Sequence, residues 1–297
     1  MKILLLGKDG QVGWELQRSL APLGELVALG SRSESPCGDL GRLDALRATV
    51  AAIRPAVIVN AGAYTAVDKA ESEPERAHLL NAQAPGVLAE AARDCGALLV
   101  HYSTDYVFDG SGTHRWKEGD ATGALSVYGR TKLEGERLIV RTHPRHLVFR
   151  TSWVYAARGG NFAKTMLRLA RERDTLTVVD DQFGAPTGAE LLADVTAHAV
   201  RACLADPARC GLYHLAAAGE TSWHGYARFV LEQALALGVE LRAGPDAVRP
   251  VPASSFPTAA MRPSNSRLDT SKLQAAFGLV LPPWQQGVSR MLTEALT

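Results

Sequence analysis

The stretch Gly7-Lys8-Asp9-Gly10-Gln11-Val12-Gly13 decides the fold of this chain, because it follows the apolar run Lys2–Leu6 and opens a predicted helix. Its three glycines permit a tight turn, close approach of the backbone to a pyrophosphate, and close packing of helix on strand. The helix that begins at Val12 would direct its free N–H groups and the positive end of its dipole at the phosphates. A turn of this kind predicts a dinucleotide site that includes Gly7, Gly10, Gln11, Val12 and Gly13.

Apolar runs alternate with helix-like segments over the first half of the chain. The runs are continuous, which is typical of parallel strands that are buried on both faces. Strands are predicted at Lys2–Leu6, Leu26–Leu29, Ala56–Asn60, Ala97–Tyr102 and His146–Arg150. Helices are predicted at Val12–Leu20, Leu43–Ile53, Pro74–Leu80, Pro85–Cys95 and Tyr128–Arg141. This order predicts an α/β fold of the Rossmann type, with a doubly wound parallel sheet.

The regular alternation of predicted strands and helices is lost in the second half of the chain. Helices are predicted at Phe162–Arg173, Glu190–Leu204, Trp223–Leu237 and Trp284–Ala295, and strands at Leu176–Val179 and Leu212–Leu215. The segment Gly244–Pro263 carries five prolines and is predicted to be ordered loop. We expect residues 1–155 to form a dinucleotide-binding domain that carries the Tyr-x-x-x-Lys pair described below. Residues 156–297 are expected to form mainly a smaller C-terminal α/β lobe that binds substrate, with some segments returning to the first domain.

Charge and composition argue against several classes of partner. The 297 residues include 32 basic and 31 acidic side chains with a net charge of +1, so no positive field indicates binding to nucleic acid. The four cysteines form no C-x-x-C pair, which favours reduced thiols in a cytoplasmic protein. No apolar stretch approaches the roughly 18 residues that a membrane helix needs. We therefore expect a cytoplasmic globular protein that binds neither nucleic acid nor membrane.

The end of the second predicted strand indicates which dinucleotide binds. An acidic residue there accepts hydrogen bonds from the ribose 2′-OH of NADH, whereas a basic residue suits the 2′-phosphate of NADPH. The chain reads Leu29-Gly30-Ser31-Arg32, without a carboxylate and with an arginine that can bind phosphate through its fork of N–H groups. We predict a preference for NADPH. Further cofactor contacts are expected from Ser31, Arg32, Asp39, Leu40, Ala61, Ala63, Tyr64 and Thr65.

Tyr128 and Lys132 form the predicted catalytic pair. They are four residues apart in a predicted helix, so they share one face. A positive charge near a phenol stabilises the phenolate and lowers its pKa, which suits a proton donor. A strand-end hydroxyl, Ser103 or Thr104, can hydrogen-bond a substrate carbonyl while Tyr128 donates the proton and a nicotinamide supplies the hydride. The order of these features along the chain predicts a carbonyl reductase.

Several sequence blocks resemble those of one known family. They are Gly7–Gly13, Tyr64–Glu71, Ser103–Phe108, Phe149–Tyr155, Asp181–Thr187 and Arg262–Ser266. With the Tyr-x-x-x-Lys pair, they resemble the extended short-chain dehydrogenase/reductases and, within them, the dTDP-4-dehydrorhamnose reductase family, from Met1 to Thr297. The resemblance implies reduction of the 4-keto group of dTDP-4-dehydro-β-L-rhamnose by NADPH. This is the final step in making dTDP-L-rhamnose for cell-surface polysaccharides such as the O-antigen of lipopolysaccharide.

The resemblance also implies roles for single residues. Thr104 would tune the proton transfer, while Tyr102 and Lys132 would lie along the cofactor. Contacts with the sugar or its nucleotide are implied for Thr104, Asp105, Tyr106, Tyr128, Trp153 and Arg262. Some family members hold Mg²⁺ at a dimer contact, which implies a homodimer with a metal site at Glu15, Glu190 and Asp194. A solvated acidic helix face is the alternative interpretation of these carboxylates.

Three other functions are open at this point. A nucleotide-sugar 4,6-dehydratase would place a glutamate directly after the Thr-Asp pair, but Tyr106 occupies that position. A regulatory subunit that binds NADP without turnover would tolerate loss of the proton donor, whereas this chain keeps Tyr128 and Lys132. Another nucleotide-sugar reductase or epimerase would share the cofactor site. The chain also departs from family members that carry an acid at the position of Gly30, which argues against NADH.

Overall fold

A computed structural model of the chain describes residues 1–296. The strands are β1 (Lys2–Leu6), β2 (Glu25–Leu29), β3 (Val57–Asn60), β4 (Leu98–Thr104), β5 (His146–Thr151), β6 (Val154–Tyr155), β7 (Leu176–Val179), β8 (Phe183–Gly184), β9 (Thr187–Gly188), β10 (Gly211–His214), β11 (Thr221–Ser222) and β12 (Val248–Val251). The α-helices are α1 (Gln11–Leu20), α2 (Leu43–Ile53), α3 (Val67–Ala70), α4 (Pro74–His78), α5 (Ala84–Cys95), α6 (Val127–Thr142), α7 (Phe162–Glu172), α8 (Ala189–Ala205), α9 (Trp223–Ala236), α10 (Ser271–Phe277) and α11 (Trp284–Leu296). Within residues 1–296, no helix has the length and apolar character needed to cross a bilayer.

Six strands form one parallel sheet in the order β10-β5-β4-β3-β1-β2. The chain adds β2 on one side of β1 and then crosses to add β3 on the other side, so the strand order reverses between β1 and β3. A reversal of this kind opens a crevice at the carboxyl ends of the strands, where doubly wound folds bind ligands. The predicted α/β fold of the Rossmann type is confirmed.

The central strands are buried on both faces because their side chains enter two different apolar cores. Ile3 and Leu5 of β1 join one core with residues of α1 and α8. Leu4 and Leu6 join the other core with residues of α2 and α5. Full burial of a leucine or isoleucine side chain contributes roughly 1.5–3 kcal/mol. A continuous apolar run is therefore stable only as a strand that is covered on both sides.

A separate apolar core lies in the lobe built by α7, α9 and α11. The strands of this lobe form short pairs, β7 with β12, β8 with β11, and β6 with β9. Two later elements return to the main sheet, since β10 pairs with β5 and α8 packs against α1. The second half of the chain therefore contributes to both parts of the molecule.

The segment Gly244–Pro263 is more regular than the sequence suggests. It contains β12, which pairs in parallel with β7, so the prediction of a loop is wrong for these four residues. Each strand of a two-stranded pair keeps one unpaired edge, where proline needs no N–H to donate. Pro250 can thus lie within β12. The sequence pattern also gives no sign of the short helix α10.

The two helices predicted on either side of residue 81 form one continuous helical segment. A π-helical turn at Leu79–Gln83 joins α4 to α5. Pro85 lacks the N–H that would bond to the preceding turn, and a wider turn accommodates that loss. The side chain of Asn81 accepts from the N–H of Tyr64 over 2.8 Å and donates to its carbonyl oxygen over 3.1 Å. The turn therefore fixes the loop that follows β3, beside the crevice.

Candidate active site

The crevice at the carboxyl edge of the sheet is a cavity of about 850 Å³. The glycine turn, the loop after β3, the end of β4 and the start of α6 all line it. The predicted site residues that line it are Gly7, Gly10, Gln11, Val12, Ser31, Asp39, Leu40, Ala61, Ala63, Thr65, Tyr102, Thr104, Asp105, Tyr106, Tyr128, Lys132 and Trp153. The structure therefore brings the predicted cofactor and catalytic residues into one site.

A different structural requirement explains the glycine at each of the three positions in the turn. Gly7 has a φ of +82°, and a Cβ on it would lie 2.6 Å from the backbone nitrogen of Gly62. A Cβ on Gly13 would overlap the carbonyl oxygen of Gly7, so α1 packs directly on the turn. The nearest protein atom to a Cβ on Gly10 would be that same oxygen, at 3.5 Å. Since the protein leaves room at Gly10, its small size suits close approach of a phosphate to the N-terminus of α1.

Four of the residues predicted to bind cofactor or substrate do not line this cavity, namely Gly13, Arg32, Tyr64 and Arg262. Gly13 lies beneath the turn, as described above. Arg32 is exposed beyond the end of β2. Tyr64 is buried, and its hydroxyl donates to Oε2 of Glu73 over 2.8 Å, so its side chain stabilises the loop and does not face the crevice. Arg262 lines a neighbouring cavity.

The first turn of α6 positions Tyr128. Ser126 is the N-cap, and its Oγ accepts from the N–H of Gly129 over 3.1 Å. A Cβ on Gly129 would overlap the carbonyl oxygen of Tyr106, so only glycine lets the helix approach the end of β4 this closely. The rings of Tyr106 and Tyr128 meet edge-on, with their centroids 5.5 Å apart. These contacts hold the phenol of Tyr128 beside the carboxyl end of β4.

The surroundings of Tyr128 differ from the prediction in one respect. Burial raises the pKa of Tyr128 to about 12, a hydrogen bond with Thr104 opposes the rise, and the charge of Asp105 adds to it. Lys132 is not among the groups that move this pKa, so the prediction that it lowers the pKa of Tyr128 is wrong for the protein alone.

Lys132 is buried against β4. Its Nζ donates to the carbonyl oxygen of Tyr102 over 2.6 Å and lies 3.1 Å from Nε2 of His101. Burial lowers the pKa of Lys132 to about 8, against the raising effect of the Glu136 carboxylate. Burial and the nearby Lys132 charge hold the pKa of His101 well below its ordinary value, so His101 is neutral.

Hydrogen bonds determine which nitrogen of His101 carries the proton. The N–H of Gly62 donates to Oδ1 of Asn60, so the side-chain nitrogen of Asn60 is the atom that faces Nδ1 of His101, at 3.1 Å. An amide nitrogen only donates, so Nδ1 accepts and Nε2 carries the proton. Nε2, with its proton, lies 3.1 Å from Nζ of Lys132.

The end of β4 holds polar atoms that the protein does not satisfy. Oγ1 of Thr104 donates to Oδ1 of Asp105 over 3.0 Å, but Oδ2 of Asp105 is buried and unpaired within residues 1–296. Three more oxygens are buried and have no hydrogen-bond partner within residues 1–296: Gln11 Oε1, Ser103 Oγ and Thr151 Oγ1. All four side chains line the cavity. Because an unpaired buried polar atom costs about 1–3 kcal/mol, these atoms fit a site that binds a polar ligand.

Trp153 connects the crevice with a second cavity of about 800 Å³ in the C-terminal lobe. Its ring is stacked on that of Trp223, with centroids 3.6 Å apart and planes 13° from parallel. Trp223 and Arg262 line the second cavity, and Arg262 also donates to Oδ2 of Asp68 over 2.8 Å. Indole faces suit an apolar sugar surface and a guanidinium suits a diphosphate, so the two cavities together can hold a nucleotide sugar.

Glu15, Glu190 and Asp194, the predicted metal ligands, pair with arginines within the single chain. Among residues 1–296, no group of three or more acidic, histidine or cysteine side chains is placed to hold an ion. Arg18 donates to Asp194 over 2.9 Å and lies 3.5 Å from Glu15, while the guanidinium of Arg290 lies 3.6 Å from Glu190. In the single chain these carboxylates therefore take part in ion pairs with arginines. A magnesium ion at a contact between two copies of the chain stays a prediction.

Residues 1–297 match the family model described as the RmlD substrate binding domain. This chain belongs to that family. Similar curated proteins include the dTDP-4-dehydrorhamnose reductases of Salmonella typhimurium and Escherichia coli K12, which are 59% and 57% identical to it. Each comparison covers 100% of this chain and 99% of the relative. The resemblance inferred from the sequence blocks is confirmed, and the chain is an oxidoreductase.

Solved structures agree with the sequence comparisons. A dTDP-4-dehydrorhamnose reductase from Clostridium acetobutylicum is 33% identical, with a TM-score of 0.89 over 100% of both chains. A second, from Bacillus anthracis in complex with NADP, is 32% identical, with a TM-score of 0.89 over 99% of both chains. The UDP-glucose 4-epimerase of Thermus thermophilus is 18% identical with a TM-score of 0.81, which shows a shared fold.

Three residues of the site went unnoticed in the sequence. His101 could have been found, because a histidine inside an apolar strand must be paired when it is buried. Arg158 lines the crevice, and its guanidinium lies 3.9 Å from the ring centroid of Trp14. Trp223 reaches the site only through its stack on Trp153. No local pattern marks the last two, since both depend on packing between distant segments.

Proposed function

We propose that this chain reduces dTDP-4-dehydro-β-L-rhamnose to dTDP-L-rhamnose with NADPH, and that it also accepts NADH. One observation carries the proposal: Tyr128, Thr104 and Lys132 line the same cavity as the glycine turn. This places a proton donor and a dinucleotide turn in one site. The identity of 57–59% with curated reductases over their full length supports the choice of substrate.

In this proposal Tyr128 is the general acid. Burial raises its pKa to about 12, so the phenol stays protonated at neutral pH and can give its proton to the carbonyl oxygen. The hydroxyl of Thr104 donates to Oδ1 of Asp105 in this structure and would turn to donate to the same carbonyl oxygen. Bound NADPH supplies the hydride to the carbonyl carbon. Lys132 and Tyr102, which are hydrogen-bonded to each other at the end of β4, position the cofactor against the substrate.

The sugar nucleotide would extend from the crevice towards the C-terminal lobe. Asp105, whose Oδ2 has no partner within residues 1–296, would accept from a sugar hydroxyl, and Tyr106 would pack beside it. Trp153 would cover the 6-deoxy face of the sugar. Arg262, at the edge of the second cavity, would exchange part of its contact with Asp68 for the diphosphate.

The alternatives are less well supported. A dehydratase needs a carboxylate where Tyr106 lies, and the ring of Tyr106 instead packs edge-on against Tyr128. A regulatory NADP-binding subunit would have no need for a proton donor beside Thr104 in the crevice. We also propose that residues 1–155 form the core of the cofactor-binding domain, that residues 156–297 supply mainly the substrate lobe, and that the chain acts as a cytoplasmic homodimer.

Tyr128→Phe tests the proposed reaction. General acid catalysis contributes roughly 10²–10⁴-fold, so we expect turnover of the 4-keto sugar nucleotide to fall by at least about 100-fold. The dissociation constant of NADPH should stay within about threefold, because the phenyl ring keeps the packing against Tyr106. Loss of nicotinamide absorbance measures turnover, and Tyr213→Phe, outside the crevice, is the matched control. Turnover at the wild-type rate would remove Tyr128 from its proposed role, and a wild-type chain without turnover would favour the regulatory subunit.

A further inference from the structure

The glycine turn lies directly over the end of β2. The backbone N–H groups of Gly7 and Lys8 both donate to the carbonyl oxygen of Leu29, over 2.9 and 3.2 Å. The next residue, Gly30, is buried and lines the crevice together with Asp9. Asp9 and Gly30 are therefore neighbours in the folded chain, although they are far apart in sequence.

The carboxylate of Asp9 occupies the space that a side chain at position 30 would fill. A Cβ on Gly30 would overlap Oδ2 of Asp9 and lie 3.2 Å from its Cγ. Position 30 can therefore hold only glycine while Asp9 keeps this conformation. Within residues 1–296, no hydrogen bond or ion pair engages the Asp9 carboxylate. Both of its oxygens are available to a ligand in the crevice.

We propose that Asp9 accepts hydrogen bonds from the adenosine ribose of NADH, and so takes the role of an acid at the end of β2. A carboxylate at this place accepts from a ribose 2′-OH and repels a 2′-phosphate. The inference rests on the proposed reductase function. It revises the cofactor preference predicted from Gly30, because Asp9 places a carboxylate beside the position where other family members carry an acid. Arg32, exposed beyond the end of β2, would have to turn towards the crevice to reach the 2′-phosphate of NADPH, so the two residues would favour different cofactors.

Two variants test this role. Asp9→Asn removes the charge at nearly constant shape, and the double variant Asp9→Ser/Gly30→Asp moves the acid to the end of β2. Dissociation constants for NADH and for NADPH are measured by the fluorescence of the bound nicotinamide, on the full chain and without sugar nucleotide. For Asp9→Asn we expect NADH to bind about tenfold more weakly and NADPH to bind more tightly. The double variant should restore the wild-type ratio of the two constants.

Glu25→Gln is the matched control, since it removes an exposed carboxylate at the other end of β2 and should change neither constant. Equal changes of both constants in Asp9→Asn, or no change in either, would overturn the role of Asp9. Failure of the wild-type chain to bind either cofactor would overturn the proposed function instead, so the two failures are distinguishable.

Discussion

At the scale of single residues, burial controls the electrostatics of the site. It raises the pKa values of Tyr128 and Asp105 and lowers that of Lys132. In each case burial disfavours the charged form, and neighbouring groups correct the shift only in part. A sequence shows which residues can titrate, but it does not show how far each one is from water. This is why the pair Tyr128 and Lys132 could be predicted while the direction of its pKa shifts could not.

Asp105 gives a pH-dependent prediction. Burial raises its pKa to about 6, and hydrogen bonds from Ser266 and Thr104 lower it. The folded state therefore holds this proton to higher pH than the unfolded state. The contribution of Asp105 to the free energy of unfolding is complete below about pH 4 and is lost as pH rises to about 6. The loss is at most about 3 kcal/mol. Asp105→Asn should remove this fall and make the protein more stable than the wild type at pH 7.

Urea unfolding of Asp105→Asn and wild type at pH 4, 5, 6 and 7 checks this expectation. Asp109→Asn is the control with the opposite sign, since the backbone and side chain of Ser111 hold the pKa of Asp109 below its ordinary value. Its stabilising effect is present above the ordinary pKa of an aspartate and is lost at lower pH. Parallel stability curves for wild type and Asp105→Asn would contradict the prediction.

At the scale of elements, α6 is the part that must be placed most accurately, because it carries Tyr128 and Lys132. A Cβ on Gly135 would overlap the carbonyl oxygen of Asn81, so this helix packs very closely on the π-helical turn. A buried ion pair ties it to β5, since Arg150 donates from Nε and Nη2 to both oxygens of Glu136 over 2.7–3.2 Å. The catalytic helix is thus fixed at its N-cap, its middle and the sheet.

The pair of Glu136 and Arg150 gives a prediction at this scale. Their side chains are 3% and 5% exposed, so removing one partner leaves a buried charge unpaired. Glu136→Gln and Arg150→Met should each lower the free energy of unfolding by about 3–5 kcal/mol. The double variant should lose less than the sum of the two, because it leaves no unpaired charge.

Chemical denaturation at pH 7 measures these three variants as a double-mutant cycle. Glu172→Gln is the control, because its partner Arg168 lies on the surface of the same helix, and such a pair contributes only about 0.3–0.5 kcal/mol. Strict additivity of the two buried substitutions would show that the ion pair does not hold α6 on β5.

The observed bounds of the strands and helices show which elements the local sequence pattern predicts and which it does not. The strand β1 and the helix α2 begin and end where the sequence predicts, because their apolar spacing reports burial directly. β12 was missed because Pro250 argues against a strand unless an unpaired edge is available, and only the partner strand β7 decides that. The sequence also could not predict that β10 forms the edge of the main sheet, since its partner β5 lies far away in sequence.

At the scale of the whole molecule, the stack of Trp153 on Trp223 links the crevice to the apolar core of the C-terminal lobe. Trp153 has a φ of +50°, a conformation that is uncommon for a large side chain and is held here by its surroundings. A Cβ on Gly184 would lie 2.8 Å from the Trp153 ring, so this glycine makes room for it. Trp153 thus lines the crevice while Trp223, stacked on it, lines the second cavity.

Trp223→Ala should therefore affect the sugar nucleotide and not the cofactor. A stacked aromatic pair contributes about 0.5–1.5 kcal/mol beyond its buried area, so we expect KM for the sugar nucleotide to rise up to about tenfold. The dissociation constant of NADPH should be unchanged. Trp223→Phe keeps an aromatic face on Trp153 and should restore most of the affinity. An equal loss of cofactor binding would instead mean that the stack supports the whole fold.

The sequence by itself determined the parallel α/β fold, the glycine turn and the pair Tyr128 and Lys132. Each of these depends on residues that are close together in the chain, where spacing directly sets geometry. Tertiary structure decided that Asp9 lies over Gly30, that arginines pair with the acids at Glu15 and Asp194, and that Thr104 and Tyr128 line one cavity. These outcomes require contacts between distant segments and the exclusion of water, and neither is set by local spacing.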